Sequence, residues 1–247
     1  MKAADGYLHL EWSYLKAAGV GIRQESDRMW RFFQPWLPRD EDLNAIWYHP
    51  SAMARKGFAD ALRRTAPGVP RCLEWPAVEG SGLPVPSLLA DWIEDEVWWM
   101  VGRAVDLPPI AHLIIRPVAH PAQRSDYLGL WQDAFGSWRP DLLTQRLQLA
   151  GCNLNQPGMG AQLAYWGNVP VGACDFFHER AKVRVENLWV DPAYRGHGVG
   201  SRLLAAVGLP ASTTLAAMRA DPDLFSFYDS AGFRRLACQR LWMNPEW

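Results

Sequence analysis

A glycine-rich segment, Arg195-Gly196-His197-Gly198-Val199-Gly200-Ser201, lies between a strand-like run and a helix-like run. Its three alternate glycines lack the β-carbons that would hold a ligand away from the backbone. Backbone N–H groups at the start of a helix, together with the helix dipole, attract anions. The segment therefore predicts an anion site that suits a pyrophosphate, with Arg195 adding a charge-assisted contact.

The spacing of the glycines argues against two familiar phosphate-binding loops. A P-loop needs a lysine after its last glycine, and none follows here. The dinucleotide fingerprint G-x-G-x-x-G places its third glycine one residue later and opens a βαβ unit, whereas hairpin-like strands precede this loop. A glycine-rich turn that holds no ligand is the remaining alternative.

The elements that must position this loop can be read along the second half of the chain. Apolar residues at spacings of three and four predict one helix, and Pro140 opens a second that ends at Gly151. Strands are predicted at Ala161–Trp166, Val171–His178 and Lys182–Val190, and Val199–Val207 is helical. A strand at residues 112–118 precedes these elements. A strand at 213–218, a helix at about 224–230 and a last strand at 236–243 follow them. The order is β-α-α-β-β-β-α-β-α-β. The apolar face of the first helix consists of Tyr127, Leu130, Trp131, Ala134, Phe135 and Trp138.

Two segments together resemble a known family. Residues 188–200, LWVDPAYRGHGVG, resemble the acetyl-coenzyme A motif of the GNAT superfamily of N-acetyltransferases. Residues 227–233, FYDSAGF, are similar to a second segment of that superfamily. The resemblance covers about residues 112–247. It implies an α/β (α+β) fold with a GNAT-like mixed, mostly antiparallel central sheet flanked by helices.

The resemblance also implies a cofactor and roles for individual residues. Acetyl-CoA would bind along Leu188, Trp189 and Val190 and on the loop residues Arg195, Gly196, His197, Gly198, Val199, Gly200 and Ser201. The Val190 N–H would polarise the thioester carbonyl. Tyr228 would be the general acid, because a phenol is protonated at neutral pH. Asp221 stands where the family often has Asn, so it is not assigned to the site.

The residues themselves give one candidate for the general base. Glu186 lies in a largely apolar strand, on the face that a period of two shares with Leu188 and Val190. A partly buried Glu with a raised pKa can accept the proton that an ammonium substrate must lose. The alternative is that Glu186 forms an ion pair with Arg184, two residues away on the same face.

The first hundred residues contain a weak internal repeat. A shift of 142 residues places Ile46-Trp47-Tyr48-His49-Pro50 on residues 188–192, Leu62 on Leu204 and Leu73 on Leu215. The shifted loop carries Met53, Ala54, Lys56 and Phe58 in place of Arg195 and the three glycines, so this copy should not bind cofactor. An unrelated helical cap is the alternative. The helix-spaced residues Trp30, Phe33, Trp36 and Leu37 suit core packing under both interpretations.

Two consecutive prolines, Pro108 and Pro109, can continue neither a helix nor a strand, so they mark a domain boundary. We predict a degenerate GNAT-like or helical cap domain at residues 1–107 and a GNAT-like acetyltransferase domain at residues 108–247, in a tandem arrangement.

The chain has 247 residues and a formal net charge of -1, which gives no sequence-wide signal for nucleic acid. No apolar run suits a membrane span, and no signal peptide is evident. The histidine spacing predicts no metal site, and the four cysteines are expected to be buried thiols in a cytoplasmic protein.

The sequence thus predicts an N-acetyltransferase that transfers an acetyl group from acetyl-CoA to a primary amine of a small molecule or peptide, by direct attack in a ternary complex. A catalytically silent acyl-CoA sensor or protein-interaction module is the alternative from another class. Tyr228 favours the enzyme, because a sensor needs the loop but no acid. The sequence does not identify the amine, and it leaves a homodimer open.

Overall fold

The computed structural model describes residues 2–26, 28–34, 44–49, 51, 57–65, 71–74, 89, 91–102, 107–136, 140–207, 213–219 and 221–244. The chain forms two compact units. The first contains residues 1–100, 217–225 and 235–247, and the second contains residues 101–216 and 226–234. The domain boundary expected between residues 107 and 108 stays a prediction, and the compact units are discontinuous in sequence.

The elements of the first unit are α1 (Lys2–Ala17), β1 (Gly21–Ser26), β2 (Met29–Phe33), β3 (Ala45–Tyr48), α2 (Phe58–Thr65), β4 (Arg71–Glu74), β5 (Ile93–Gly102) and β11 (Arg234–Met243). Its strands have the order β1-β2-β3-β4-β11-β5. Strands β1, β2 and β3 are antiparallel, β4 runs parallel to β3, and β11 is antiparallel to β4.

The core of this unit is aromatic. Tyr48 stacks on Trp242 with ring centroids 6.0 Å apart and contacts Phe58 at 5.4 Å. The expected helix through Trp30 and Phe33 is wrong, because those residues belong to β2, which pairs with β1 and β3. Aromatic residues favour a paired, half-buried strand, and here pairing overrides the helical spacing. Trp36 and Leu37 of that expected helix lie outside the described residues.

The elements of the second unit are β6 (Leu113–Pro117), α3 (Pro121–Ala134), α4 (Pro140–Asn153), β7 (Met159–Trp166), β8 (Val169–Glu179), β9 (Lys182–Val190), α5 (Val199–Val207), β10 (Thr213–Arg219) and α6 (Pro222–Ser230). Its strands have the order β10-β9-β8-β7-β6. Strands β6 to β9 are antiparallel, and β10 is parallel to β9. Together with β11, these elements confirm the predicted element order, although α4 passes through Gly151 to Asn153.

Helices α3 and α5 cover opposite faces of β8. Ala173 packs in a cluster with Tyr127 and Trp131 of α3, whereas a β-carbon at the neighbouring Gly172 would meet Leu203 of α5 at 3.2 Å. Successive strand residues point to opposite faces, so this alternation assigns one helix to each side. The start of α3 is fixed by Gln123, whose side chain accepts from the His120 N–H at 3.0 Å.

The expectation that the cysteines are buried thiols holds only in part. Cys174 and Cys238 are buried free thiols, but Cys152 is an exposed one. Cys152 lies near the end of α4, one residue before the helix ends at Asn153. The side chain of Cys72 lies outside the described residues.

Candidate active site

The glycine-rich loop turns sharply before α5. Gly196 has φ +77° and Gly198 has φ +79°, which are left-handed conformations that glycine adopts without strain. A β-carbon at Gly196 would meet nothing within 4 Å, whereas one at Gly198 would meet the Ile110 side chain at 2.9 Å. Open space for a ligand therefore lies at Gly196, and the backbone at Gly198 is covered by Ile110.

The loop carries backbone donors that the chain does not use. The first hydrogen bond of α5 runs from the Arg202 N–H to the Gly198 carbonyl at 3.1 Å. Within the described residues, the N–H groups of Gly196 to Ser201 have no backbone acceptor. Unpaired donors at a helix N-terminus attract anions. The arrangement fits the pyrophosphate site expected from the sequence.

Gly200 has a different reason for being glycine. A β-carbon there would meet the Phe227 ring of α6 at 3.1 Å and the Val190 side chain at 3.7 Å. Its missing side chain allows α5 to approach α6 and β9 closely. Gly198 and Gly200 thus have packing reasons for being glycine, and their part in holding a cofactor stays a prediction.

The Arg195 and His197 side chains of the loop contact neighbouring parts of the chain. The Arg195 Nε donates to the Val190 carbonyl at 3.0 Å, and the exposed guanidinium fastens the loop to the end of β9. The His197 ring is exposed and lies 2.9 Å from the Arg195 carbonyl through Nδ1. It also meets the Trp166 ring edge-on at 5.9 Å. Arg195 therefore acts first as a brace for the loop.

One edge of β9 presents backbone amides that no described strand pairs with. The Asp191 N–H donates to the Val171 carbonyl of β8 at 2.9 Å. Because hydrogen-bonding direction alternates along an antiparallel ladder, the N–H groups of Leu188 and Val190 point away from β8. The register with β10 covers only Lys182–Val185. These two amides thus lie on an edge that is not paired with β10.

Strand β9 contains a bulge at Glu186 and Asn187. The register with β8 pairs Cys174 with Leu188 but Phe176 with Val185, so two residues of β9 oppose the single Asp175. An extra residue breaks the period of two. The reasoning that placed Glu186 on the face of Leu188 and Val190 by simple alternation therefore does not hold across the bulge.

Glu186 forms an ion pair with Arg184, and both side chains are largely buried. This is the alternative that the sequence left open beside the general-base role. A carboxylate paired with a guanidinium is held in a fixed direction. Its use as a base requires the proton to be accepted in competition with that pairing.

Tyr228 lies on α6 near β8, the strand that pairs with β9. It is buried, and its ring lies 5.3 Å from that of Phe233. Burial raises the pKa of Tyr228 above its ordinary value, and the nearby Cys174 thiol raises that pKa further. Cys174 is the β8 residue that pairs with Leu188. The phenol keeps its proton at neutral pH.

Residues 161–235 match the family model described as the acetyltransferase (GNAT) domain. This part of the chain is therefore similar to a GNAT acetyltransferase domain. The matched range contains the loop, β9, α5 and Tyr228, so it covers every residue predicted to bind cofactor or take part in catalysis. The match supports an acyltransferase, as the sequence predicted.

Solved structures share the fold over most of the chain. A functionally unknown conserved protein from Staphylococcus epidermidis ATCC 12228 superposes with a TM-score of 0.72 at 16% identity, covering 91% of this chain and 94% of that one. A GCN5-related N-acetyltransferase from Kribbella flavida gives 0.64 at 12% identity, covering 96% and 95%. Another from Sphaerobacter thermophilus gives 0.59 at 14%, covering 88% and 76%.

At these identities the likeness concerns the fold alone. It confirms the mixed α/β architecture with antiparallel strands flanked by helices, while the degenerate N-terminal copy stays a prediction. A comparison of the sequence with curated proteins gives no match.

Asp221 has a structural role at the start of α6. Its Oδ1 accepts from the backbone N–H groups of Asp223 at 2.8 Å and Leu224 at 3.2 Å, so it caps the N-terminus of that helix. Aspartate suits this position because a negative charge complements the helix dipole. Asp221 thus has a role in the fold that requires no ligand.

Sequence reasoning missed Asp175. Its carboxylate lies at the bulge, where Oδ2 accepts from the Asn187 amide at 3.1 Å. Burial raises the pKa of Asp175 to about 7, against the opposing effects of Asn187, Tyr127 and Trp131 nearby. A charged residue within the apolar strand Val171–Phe177 is the signal that would have found it.

Two further features of the described residues bear on the site. No group of three or more His, Cys, Asp or Glu side chains among them is arranged to hold a metal ion. None of the helices in the same part of the chain is both long enough and apolar enough to cross a membrane.

Proposed function

We propose that the protein is an N-acetyltransferase that transfers an acetyl group from acetyl-CoA to a primary amine by direct attack in a ternary complex. The observation that carries this proposal is that two sets of unused amides occur together: those of the Gly196–Ser201 loop and those of Leu188 and Val190. The two sets follow one another along the chain within the matched GNAT domain. They suit a ligand with a phosphate group at one end and an extended amide-containing arm.

The residues divide the binding of acetyl-CoA between them. The loop amides and the N-terminus of α5 would hold the pyrophosphate, because nothing covers the backbone at Gly196. The free edge of β9, including Trp189 between the two amides, would pair with the pantetheine arm as an added strand does. Arg195 would keep the loop against β9 through the Val190 carbonyl.

The chemistry needs three contributions from the chain: a donor to the thioester oxygen, an acid for the departing sulfur, and a base that takes the proton lost by the amine, for which Glu186 is the candidate. Acetyl-CoA supplies an acyl group activated as a thioester. The Val190 N–H is a fixed donor on an unpaired edge, which suits it to stabilise negative charge on the thioester oxygen. Tyr228 holds a proton on its phenol oxygen, and that proton is available to a departing sulfur.

The proposal is tested by closing the open space above Gly196. Gly196→Asn should lower CoA affinity by about 2 kcal/mol or roughly 30-fold, because asparagine tolerates a left-handed backbone while its side chain obstructs the loop amides. Gly167→Asn is the matched control, since Gly167 also has positive φ and open space but lies in the β7–β8 turn. Calorimetry with CoA should show the loss only for Gly196→Asn. Equal affinities in both folded variants would refute the cofactor site.

The catalytically silent acyl-CoA sensor is favoured by one observation. The ion pair between Glu186 and Arg184 occupies the carboxylate predicted to be the base. The two functions separate in a CoA-release assay across a broad panel of primary amines. Turnover with any amine supports the enzyme, whereas tight CoA binding without turnover across the panel supports the sensor. If Glu186 is the base, Glu186→Gln should remove turnover and leave CoA affinity unchanged.

A further inference from the structure

The contact between Asp175 and Asn187 joins two neighbouring strands at an irregular point of the ladder. Asp175 lies on β8 opposite the two bulged residues of β9. The Asn187 Nδ2 donates to the Asp175 Oδ2 at 3.1 Å. A bulge redirects the strand that follows it, and the residues that follow here are those with the free amides, Leu188 and Val190.

The Asp175 carboxylate lies between the bulge and α3. It is buried, and its side-chain hydrogen bonds to Asn187, Tyr127 and Trp131 favour its charged form. A buried carboxylate still costs stability relative to an apolar side chain, because it is removed from water. Of these three contacts, the one with Asn187 reaches the bulged residues of β9.

We propose that Asp175 is a positioning residue for acyl transfer: its carboxylate holds Asn187 in the bulge and thereby fixes the direction of the Leu188 and Val190 amides. This inference rests on the proposed function for its catalytic consequence. Asp175 touches no reacting atom, because its oxygens face the bulge and the α3 side of the strand.

The surroundings of Asp175 place its ionisation in the neutral range. Burial raises the pKa of Asp175 to about 7. Burial, followed by Asp175 itself, raises the pKa of Tyr127 well above its ordinary value, so that phenol stays neutral through the same range. An ionised carboxylate accepts a stronger hydrogen bond than a neutral one, so the contact is tighter above about pH 7. The groups that face Asp175 are Tyr127 and Trp131 of α3, Ala161 of β7, Asn187 of β9 and the neighbouring Cys174, with Arg184 and Glu186 of β9 paired to one another.

The test compares local opening of β9 in the wild type and in Asp175→Asn by amide hydrogen exchange. At pH 8, exchange in a peptide covering residues 186–190 should be roughly tenfold faster in the variant, since the hydrogen bond from Asn187 then goes to a neutral acceptor instead of a charged one. At pH 5.5 the two proteins should exchange alike, because both side chains are then neutral. Strand β7 is the internal control and should be unchanged.

Two more variants keep the test decisive. The exchange of Asp175→Asn combined with Asn187→Asp restores a carboxylate–amide pair and should return protection to residues 186–190. Asn187→Ala breaks the same bond from the half-buried side, so it reports on the contact even if Asp175→Asn does not fold. Wild-type exchange at residues 186–190 in Asn187→Ala at pH 8 would overturn the proposal.

Turnover separates this inference from the proposed function. With an amine that is acetylated, kcat should fall about tenfold in Asp175→Asn at pH 8 with little change in KM for the amine, and a step near pH 7 should vanish from the kcat profile. An unchanged profile in a variant with altered exchange would overturn the catalytic part. Altered exchange in a protein that acetylates no amine would instead refute the proposed function and leave the contact established.

Discussion

Burial governs the acid–base behaviour of Asp175 and Tyr228 and moves both pKa values upward. For both groups the buried environment disfavours the charged form. The consequences differ, because the phenol is thereby kept protonated at every neutral pH whereas the carboxyl group is brought to the middle of that range. One residue is suited to holding a proton, and the other to changing charge.

Tyr228→Phe should lower kcat by roughly 10²–10⁴-fold, the usual contribution of a positioned general acid, with CoA affinity nearly unchanged. The phenylalanine ring preserves the contact with Phe233 and removes only the hydroxyl. Tyr165→Phe is the matched control, because its hydroxyl donates to Asp126 at 2.7 Å in a structural contact. That control should lose stability and keep kcat. Steady-state kinetics and melting curves on both variants decide the matter, and near-normal turnover in Tyr228→Phe would remove Tyr228 from the mechanism.

The ionisation of Asp175 should also appear in the stability of the whole fold. A carboxyl group whose folded-state pKa is raised favours folding below its ordinary pKa, and this advantage is lost as pH rises towards 7. Relative to the wild type, Asp175→Asn should therefore gain roughly 2 kcal/mol in free energy of unfolding between pH 5 and pH 8. Urea unfolding at the two pH values measures this gain. A difference that is the same at both would contradict the raised pKa.

Residue roles could be predicted from sequence only where a motif fixed them. Tyr228 and the loop followed from two segments of characteristic spacing. Glu186 kept two interpretations, because its partner Arg184 is visible in the sequence but their contact is not. Asp175 could not be foreseen, since its importance depends on a bulge in the neighbouring strand. Bulges have no reliable signature in a single sequence.

At the scale of elements, the position of α5 depends on how closely it approaches β8. A β-carbon at Gly172 would lie 2.9 Å from the Trp189 carbonyl oxygen and 3.2 Å from Leu203. A backbone oxygen cannot yield as a flexible side chain can. The helix whose N-terminus forms the anion site is therefore held at its distance from the strands by a glycine outside the loop.

Gly172→Ala should lower the free energy of unfolding by about 1–3 kcal/mol, as overpacking does, and should weaken CoA binding because α5 is displaced. Gly129→Ala provides the opposite control. Gly129 lies inside α3, and a β-carbon there would meet nothing within 4 Å, so alanine should add about 0.5–1 kcal/mol through helix propensity. Denaturant unfolding and CoA calorimetry on both variants check the pair. A stabilised Gly172→Ala would contradict this account of packing.

Elements of the second unit were predictable because their periodicity is clear and their ends carry proline or turn residues. The apolar face of α3 and the start of α4 at Pro140 are examples. The segment around Trp30 failed because four aromatic or apolar residues within eight positions fit a helix as well as a strand, and only pairing partners distinguish them. Those partners, β1 and β3, are set by the tertiary fold.

At the scale of the whole molecule, the two units repeat one topological theme. In the first, β3 and β4 are parallel and are joined through α2, and in the second β9 and β10 are parallel and are joined through α5. This likeness supports the degenerate repeat that the shift of 142 residues suggested. The helix starts, Phe58 and Val199, differ by 141, so the sequence alignment is displaced by one residue at this point.

The two versions of the theme differ where a cofactor would bind. All four residues of β3 pair with β4, whereas β9 continues from Glu186 to Val190 without a β10 partner. The strand that would have to accept a pantetheine arm in the first unit has therefore used that edge in its own sheet. The segment that aligns with the glycine-rich loop, residues 53–59, has a single glycine. Phe58, at the start of α2, is buried against Tyr48. Met53, Ala54 and Lys56 lie outside the described residues.

The protein should consequently bind one CoA per chain. Calorimetric titration of the wild type should saturate at one equivalent, and Gly196→Asn should weaken that single binding event without revealing a second. Both a free strand edge and unpaired loop amides are needed to hold an extended, phosphorylated ligand, and the first unit lacks the edge. Gly57→Asn is the control, because Gly57 has positive φ and open space at the start of α2 but should leave affinity and stoichiometry unchanged. Saturation at two equivalents, with one of them lost in Gly57→Asn, would show instead that the first unit is a working cofactor site.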